Sequence, residues 1–337
     1  VSGQGYRGPF SGPGFDRIWT DMSEIVRPTR DGIHGRESIA TDVELGRKPA
    51  RLEFNEAGEL STVMPPAMSL PLPLFFTPPP FKAPEALWPI LLKAAADAGT
   101  FVIIELKDFK PEYASKACVL RLTPGQTPPP QILRRMEMVE IPYSRSATEA
   151  ERLKMFSERL IVSTFVPFDN EAPGRILDLA RNGAEVIHLG FDGTGRTREK
   201  TPRHLVDALR AVEETLVAEG LRDQLSILVS GGIGMAEHVP KSILCGADAV
   251  GLRTAYAIAL GLRRFDSSKD SYDLSGLCLG DGDLATQRLK NLLSAWRDQL
   301  LEVMGAMGMR EVRRLQGETG RAMFAEALEA EFQQLFS

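Results

Sequence analysis

The sequence predicts a parallel α/β fold closed into an eight-stranded (β/α)8 TIM barrel, with an extended N-terminal arm and a C-terminal helical extension. Three observations carry this expectation. From residue 72 onward, short apolar runs alternate with segments of helical periodicity. There are eight such runs. The last two end in small residues, Ser230-Gly231-Gly232 and Gly251-Leu252-Arg253-Thr254, and the last two units of a barrel commonly hold phosphate this way. The chain accordingly divides into an arm over 1–70, a barrel over 71–262, and a loop with helices over 263–337.

Taken in order, the arm comes first. Gly and Pro are dense over 1–14, residues 15–25 suit a short helix, and 26–45 is polar. Such a stretch makes no core of its own, so it is expected to lie across the barrel or a partner. Strands are predicted at 72–77, 101–106, 117–122, 137–141, 160–164, 185–189, 225–229 and 247–252. Each is short, apolar and rich in branched residues, as a strand buried on both faces requires. Helices are predicted at 84–98, 131–136, 147–158, 173–182, 202–219 and 235–244, and a further one opens at Arg253-Thr254. Gly246 suits the left-handed position that ends the sixth of these. The connection at 107–116 has room only for a turn or a reduced helix. Spacing alone does not separate a barrel from an open doubly wound sheet. Against the open sheet, no GxGxxG follows the first strand and no acidic residue is placed for a ribose. Beyond the barrel, 262–282 is polar and loop-like. Residues 284–307 form a long amphipathic helix with Leu289, Leu292, Leu293, Trp296, Leu300 and Val303 on one face. Helices are also predicted at 310–315 and 322–336.

Composition narrows the function classes. The chain has 337 residues, 43% of them hydrophobic, with 40 basic against 45 acidic side chains, a net charge of −5. That balance gives no general attraction to nucleic acid or acidic membrane. The three cysteines, Cys118, Cys245 and Cys278, are dispersed. They form no CxxC pair, zinc spacing or disulfide framework, and a reducing, cytoplasmic compartment fits them. No apolar run reaches the roughly 18–20 residues of a transmembrane segment, and no signal peptide is evident.

In a barrel, chemistry sits at the carboxyl ends of the strands. In order these ends read Thr77-Pro78-Pro79-Pro80, Glu105-Leu106-Lys107-Asp108, Thr123-Pro124-Gly125-Gln126, Pro142-Tyr143-Ser144-Arg145, Ser163-Thr164, the loop 190–195 with Asp192 and Gly193, and the two small-residue turns. Backbone N–H groups exposed at Gly231-Gly232 and at 251–254 can hold a phosphate. Either turn alone is an ordinary strand–helix connection; together they favour a phosphate. Asp192 is the best candidate for a catalytic acid or base, although Asp in a glycine turn commonly only forms the turn. His188, in mid-strand, reads as a packed core histidine, and His34, His204 and His238 as structural. Glu105 and Lys107, two apart, are expected to meet as an ion pair.

Four runs carry a family resemblance: Val186-Ile187-His188-Leu189-Gly190-Phe191-Asp192-Gly193-Thr194-Gly195, the stretch from Glu214 to Asp223, Ser230-Gly231-Gly232, and Gly246-Ala247-Asp248-Ala249-Val250-Gly251. They resemble the FMN-binding barrel domain of glutamate synthases. The chain is more similar still to glutamate synthase-related proteins, which share an arm like Arg27-Pro28-Thr29-Arg30-Asp31-Gly32-Ile33-His34-Gly35-Arg36-Glu37 and a tail like 299–308. The resemblance implies FMN, with phosphate on Ser230, Gly231, Gly232, Gly251, Leu252, Arg253 and Thr254. It implies that Gln126, Thr77, Ser163, Thr164 and Gly193 lie near the flavin.

The sequence also departs from that family. Thr77-Pro78-Pro79-Pro80 replaces a glycine- and serine-rich first loop, and Glu105-Leu106-Lys107-Asp108 replaces a Gly-Glu-Gly-Gly. Ser163 and Thr164 stand where a lysine is expected, and the cluster-binding cysteines are missing except for Cys278. The expectation is an FMN-dependent oxidoreductase acting on an amine-type donor, or the flavin subunit of a redox complex, and not a complete glutamate synthase. The chain itself would hold no Fe–S cluster. An iron–sulfur or other redox partner would supply electrons, in a homo- or hetero-oligomer. The alternative is a degenerate barrel serving as scaffold or regulatory subunit.

Overall fold

The computed structural model describes residues 15, 18–20, 39–123, 125–126, 128–143, 147–266, 271–324 and 334. The arm motif at 27–37 and residues 124 and 144–146 lie outside them, as does most of the helix predicted over 322–336.

Eight parallel strands close into a barrel: β1 Leu74–Phe76, β2 Val102–Glu105, β3 Cys118–Arg121, β4 Met138–Pro142, β5 Ile161–Pro167, β6 Val186–Gly190, β7 Ser226–Ser230 and β8 Ala249–Leu252. Each pairs with the next in sequence. The ring closes where Val250, Gly251 and Leu252 of β8 pair with Leu74, Phe75 and Phe76 of β1. All five residues of β6 and of β7 are buried. Apolar side chains on both strand faces suit a sheet covered outside by helices and filled inside by its own side chains.

The helices are α1 Leu87–Ala98, α2 Pro130–Leu133, α3 Ala147–Lys154, α4 Ala172–Arg181, α5 Leu205–Ala218, α6 His238–Leu244, α7 Thr254–Ala259 and α8 Gly282–Ala306. After β2 the chain makes only two 3-10 turns, Leu106–Asp108 and Pro111–Tyr113, because the short connection over 106–117 leaves too little chain for a packed helix. Asp281 caps α8 by accepting from Leu284 N at 3.0 Å. The apolar face of α8, including Leu289, Leu293, Trp296 and Leu300, is buried, and the helix packs against α1 and α7.

An antiparallel hairpin, Val43–Gly46 with Ala67–Leu70, covers the amino-terminal end of the barrel. Gly46 N donates to Ser226 Oγ at 3.1 Å, and Arg47 donates to Ala184 O and Gln224 Oε1. This leaves the opposite, carboxyl-terminal end open for a ligand.

Four predicted elements need correction. Within 15–25 the structure forms a strand, Ile18–Thr20, not a helix, and its partner is Ala322–Phe324, where a helix was expected to begin. The two segments satisfy each other across the sequence, which local periodicity does not reveal. The helix predicted at 310–315 is a single 3-10 turn, Val312–Leu315. The polar stretch after the barrel holds a short antiparallel pair, Arg263–Asp266 with Ser271–Asp273.

Candidate functional site

The open end of the barrel holds a cavity of about 590 Å3, lined by residues from the β1, β2, β3, β5, β6, β7 and β8 ends. That volume lies within the range of small-molecule and cofactor sites. Five cationic side chains, Lys82, Lys107, Arg121, Arg198 and Arg253, face two carboxylates, Glu105 and Asp108. The cavity therefore favours an anion. A larger crevice of about 960 Å3 lies outside the barrel between α3 and α4. The strand-end cavity is the better candidate, because the fold gathers one side chain from nearly every strand there.

Beneath the cavity runs a chain of charged and polar groups. Lys107 Nζ lies 2.5 Å from Glu105 Oε2, and Glu105 Oε1 lies 3.9 Å from Arg121. Arg121 Nε donates to Glu140 Oε1 at 2.5 Å. Glu140 Oε2 lies 2.6 Å from His188 Nδ1, and His188 Nε2 lies 2.7 Å from Ser230 Oγ. Glu140 and His188 are fully buried. Burial alone would raise the Glu140 pKa, but Arg121 and His188 outweigh it and hold the carboxyl down to about 2. Phe165 roofs this network. The Arg121 guanidinium lies 4.1 Å from its ring centroid, and its edge meets His188 at 5.1 Å.

Directly after the cavity-lining Ser230, Gly231 (φ +108) and Gly232 (φ +71) turn the chain out of β7. A Cβ on Gly231 would lie 2.5 Å from Phe191 O, and one on Gly232 would strike Gly195. Only glycine lets this turn press against the loop after β6. Among the described residues, no protein oxygen accepts from the N–H groups of Gly231, Gly232 or Ile233. Arg253 lines the same cavity, and its Nε is buried with no hydrogen-bond partner. A buried donor without an acceptor is costly, so this one is set for a ligand or water.

The other predicted residues fall in several places. Ser230, Thr77 and Arg253 line the cavity. Thr77 Oγ1 donates to Leu252 O at 3.0 Å, and Tyr256 OH donates to Thr77 O at 2.9 Å. Gly251 has no room for a side chain, since a Cβ would lie 2.6 Å from Thr77 Cγ2 and 2.9 Å from Ser230 Cβ. Thr254 begins α7. Ser163 faces inward below the cavity floor, donating to Glu140 Oε2 at 3.5 Å. Thr164 faces outward and lines the α3–α4 crevice instead, as alternation along a strand requires. Gln126 is exposed and accepts from Thr123 Oγ1 at 2.8 Å. Asp192 forms its own turn: its Oδ1 accepts from Thr194 N, Thr194 Oγ1 and Arg196 N at 2.8–2.9 Å. Partial burial opposes ionisation, yet these bonds lower its pKa. Gly193 is exposed beside it.

Residues 153–310 match the family model described as the conserved region in glutamate synthase. The archaeal-type glutamate synthase (NADPH) of Thermotoga neapolitana is 27% identical over 372 residues, covering 90% of this chain and 73% of its own. The archaeal glutamate synthase (NADPH) of Archaeoglobus fulgidus is 27% identical over 374 residues, covering 90% and 72%. The chain is thus similar to glutamate synthases over most of its length. Among solved structures it is similar to flavocytochrome b2 with sulfite bound, at a TM-score of 0.59 and 12% identity, covering 93% of this chain and 77% of that one. It is also similar to a mandelate oxidase with a monooxide FMN adduct, at a TM-score of 0.58 and 15% identity, covering 91% and 88%. At such identities these two likenesses concern the fold alone.

Three residues at or beneath the cavity are not picked out as site residues by the sequence: Arg121, Glu140 and Phe165. Glu140 had a signal. It is a carboxylate inside the apolar run Met138-Val139-Glu140-Ile141, and a buried charge demands a partner. Phe165 was missed because β5 runs on to Pro167, past the predicted end at Thr164. The residue that reaches the cavity from β5 is therefore Phe165.

Proposed function

We propose that this barrel binds FMN and works as a glutamate synthase-related oxidoreductase, or as the flavin subunit of a larger redox complex. The observation that carries the reading is the buried, unpartnered Nε of Arg253 in a cavity also lined by Ser230, the residue that leads into the unpartnered amides of Gly231 and Gly232. A phosphate would satisfy both, the guanidinium by a charge-assisted bond. Thr77, Arg121 and Phe165 line the rest of the cavity, whose volume accommodates a cofactor. The residues present thus fit FMN at its phosphate end. Bound flavin would supply hydride or electron transfer. The protein's part would be to anchor it, orient the substrate with the cavity's cations, and exclude water with the Phe165 floor.

The relatives that carry NADPH glutamate synthase names support an electron-accepting role, and electrons would reach this chain from a partner subunit bearing an iron–sulfur or other redox group. Burial pushes the thiols of Cys118 and Cys245 up to about 12, which disfavours them as thiolate ligands. Among the described residues no helix is long and apolar enough to cross a membrane; a cytoplasmic protein is our reading of the cysteine usage, and an oligomer our reading of the arm and the C-terminal helices as docking surfaces.

The test is the visible spectrum of the purified chain, with the released chromophore identified by mass. FMN, and a loss of affinity of about tenfold or more in Arg253→Ala, is the expected result; a charge-assisted bond of roughly 1.5–3 kcal/mol implies that much. A colourless protein that takes up no added FMN would sink the proposal. It would favour the second reading, a scaffold barrel, for which the Arg121–Phe165 stack across the cavity floor is the supporting observation.

A further inference from the structure

We propose that Ser230, His188 and Glu140 make a proton-coupled site for a doubly charged oxyanion, so that the anion beside Ser230 and a proton on His188 bind together. The inference rests on the reading that the cavity rim takes a phosphate, and it assigns His188 and Glu140 as positioning residues for that ligand.

The argument follows from hydrogen-bond inventory. Glu140 is ionised and only accepts. His188 Nδ1, 2.6 Å away, must then carry a hydrogen. In the neutral ring Nε2 is left as an acceptor, and the hydrogen of Ser230 Oγ, at 2.7 Å, goes to it. Ser230 then presents only lone pairs to the cavity, which repel an anion. If the hydroxyl turned to the anion instead, Nε2 would be buried without a donor, at substantial cost. A second proton on His188 removes the conflict. Nε2–H donates to Ser230 Oγ, and the hydroxyl donates to the anion. The added positive charge lies one side chain away from the ligand and inside the barrel, where screening is weak.

The groups around His188 come from every side of the barrel. Glu140 on β4 contacts it directly, and Arg121 on β3 acts through Glu140. Ser163 on β5 reaches Glu140, and Phe75 on β1 and Phe165 on β5 meet the ring by their edges. Glu105 on β2 lies beyond Arg121, while Lys107, Asp108, Arg198 and Arg253 line the cavity above. Two other histidines stand near the glycine turn. His204 Nδ1 accepts from Val206 N at 3.3 Å and His238 Nδ1 from Gly234 N at 3.1 Å, and both rings pack on Phe15. Neither reaches Ser230 in the way His188 does.

Sulfate is the suitable probe, because it stays fully ionised where histidine titrates. Calorimetric titration of the full chain with sulfate, at constant ionic strength in buffers of different ionisation enthalpy, reads proton uptake. The expected result is uptake of up to one proton per sulfate and an affinity that rises by up to tenfold per pH unit of acidification, the limit for one linked proton. His188→Gln keeps an amide donor beside Ser230 but cannot titrate, so it should bind sulfate with no uptake and a flat pH profile. Ser230→Ala leaves the buried pair in place and should also lose the uptake, which keeps the test open if His188→Gln does not fold. Buffer-independent enthalpies, a pH slope that survives in both variants, or no sulfate binding would each overturn the proposal. Flavin content is read separately, so a colourless protein with proton-linked sulfate binding fails the flavin reading and not this one.

Discussion

Glu140 is a full charge at the centre of the barrel, and its neighbours set its state. With the pKa depressed from 4.5 to about 2, it contributes stability that is fully present above about pH 4.5. That contribution is lost as pH falls towards 2, because the unfolded chain takes up the proton first. The shift corresponds to on the order of 3 kcal/mol. Glu140→Gln should therefore flatten the acid limb of a stability-versus-pH curve. At neutral pH it should cost roughly 3–5 kcal/mol, since Arg121 and His188 would lose their buried counter-charge. Denaturant titrations across that pH range check both effects; an unchanged acid limb would show that Glu140 is not the controlling group. The cysteines give a second residue-level expectation. Cys118 and Cys245 are buried and Cys278 is exposed. A thiol reagent should modify one cysteine quickly in the native protein and all three only after unfolding. Mass mapping that found Cys118 or Cys245 among the fast sites would contradict the packing.

At the scale of elements, the strand-to-helix junctions carry the proposed site and much of the stability. The turn at Gly231-Gly232 presses on the loop after β6 with no space for a side chain. Gly232→Ala adds strain at a positive φ as well as that collision, so it should weaken both folding and anion binding, with folding losing about 1–3 kcal/mol. Thermal unfolding with and without sulfate separates the two. At the opposite end of the barrel, buried Arg222 ties α5 to β7 and β8. It pairs with Glu213, and it donates to Asp248 Oδ2 at 3.0 Å, Leu225 O at 3.0 Å and Gly246 O at 2.9 Å. Arg222→Ala should cost roughly 3–5 kcal/mol by leaving two carboxylates uncompensated, measured as a shift in denaturation midpoint. All eight strands were legible in the sequence because a strand buried on both faces is a short, bounded apolar run. The turn at Ser230-Gly231-Gly232 was legible for a different reason: paired glycines at a strand end mark a tight strand-to-helix connection. The network beneath it was not legible as a unit. Arg121, Glu140, His188 and Ser230 lie on four strands, and only barrel closure brings them within hydrogen-bond reach. Asp192 stood out for its glycine neighbours, and those neighbours are why its carboxylate is occupied by its own loop.

For the whole molecule, described segments that precede and follow the barrel pair with one another. Ile18–Thr20 pairs with Ala322–Phe324, and Arg210 of α5 stacks on Phe324 at 4.0 Å. Phe15 is buried against His204 and His238, and its carbonyl accepts from Lys241 Nζ at 2.9 Å. Further along, Ala40 N donates to Arg310 O, and Val312 N donates to Ala40 O. These contacts bring segments far apart in sequence onto α5 and α6, the helices that flank the β7 turn. Removing the chain from residue 317 onward would strip the pairing partner from Ile18–Thr20 and expose one side of that patch. The barrel strands all lie between residues 74 and 252, so the truncated chain should still fold. It should do so with a lower melting temperature, and its N-terminal arm should become cleavable by protease ahead of the barrel. Because α6 follows the Gly231-Gly232 turn, sulfate affinity should fall as well. Limited proteolysis with mass identification of the first cut tests this. A first cut inside the barrel, or an arm as resistant as in the full chain, would mean that the strand pair does not hold the arm in place.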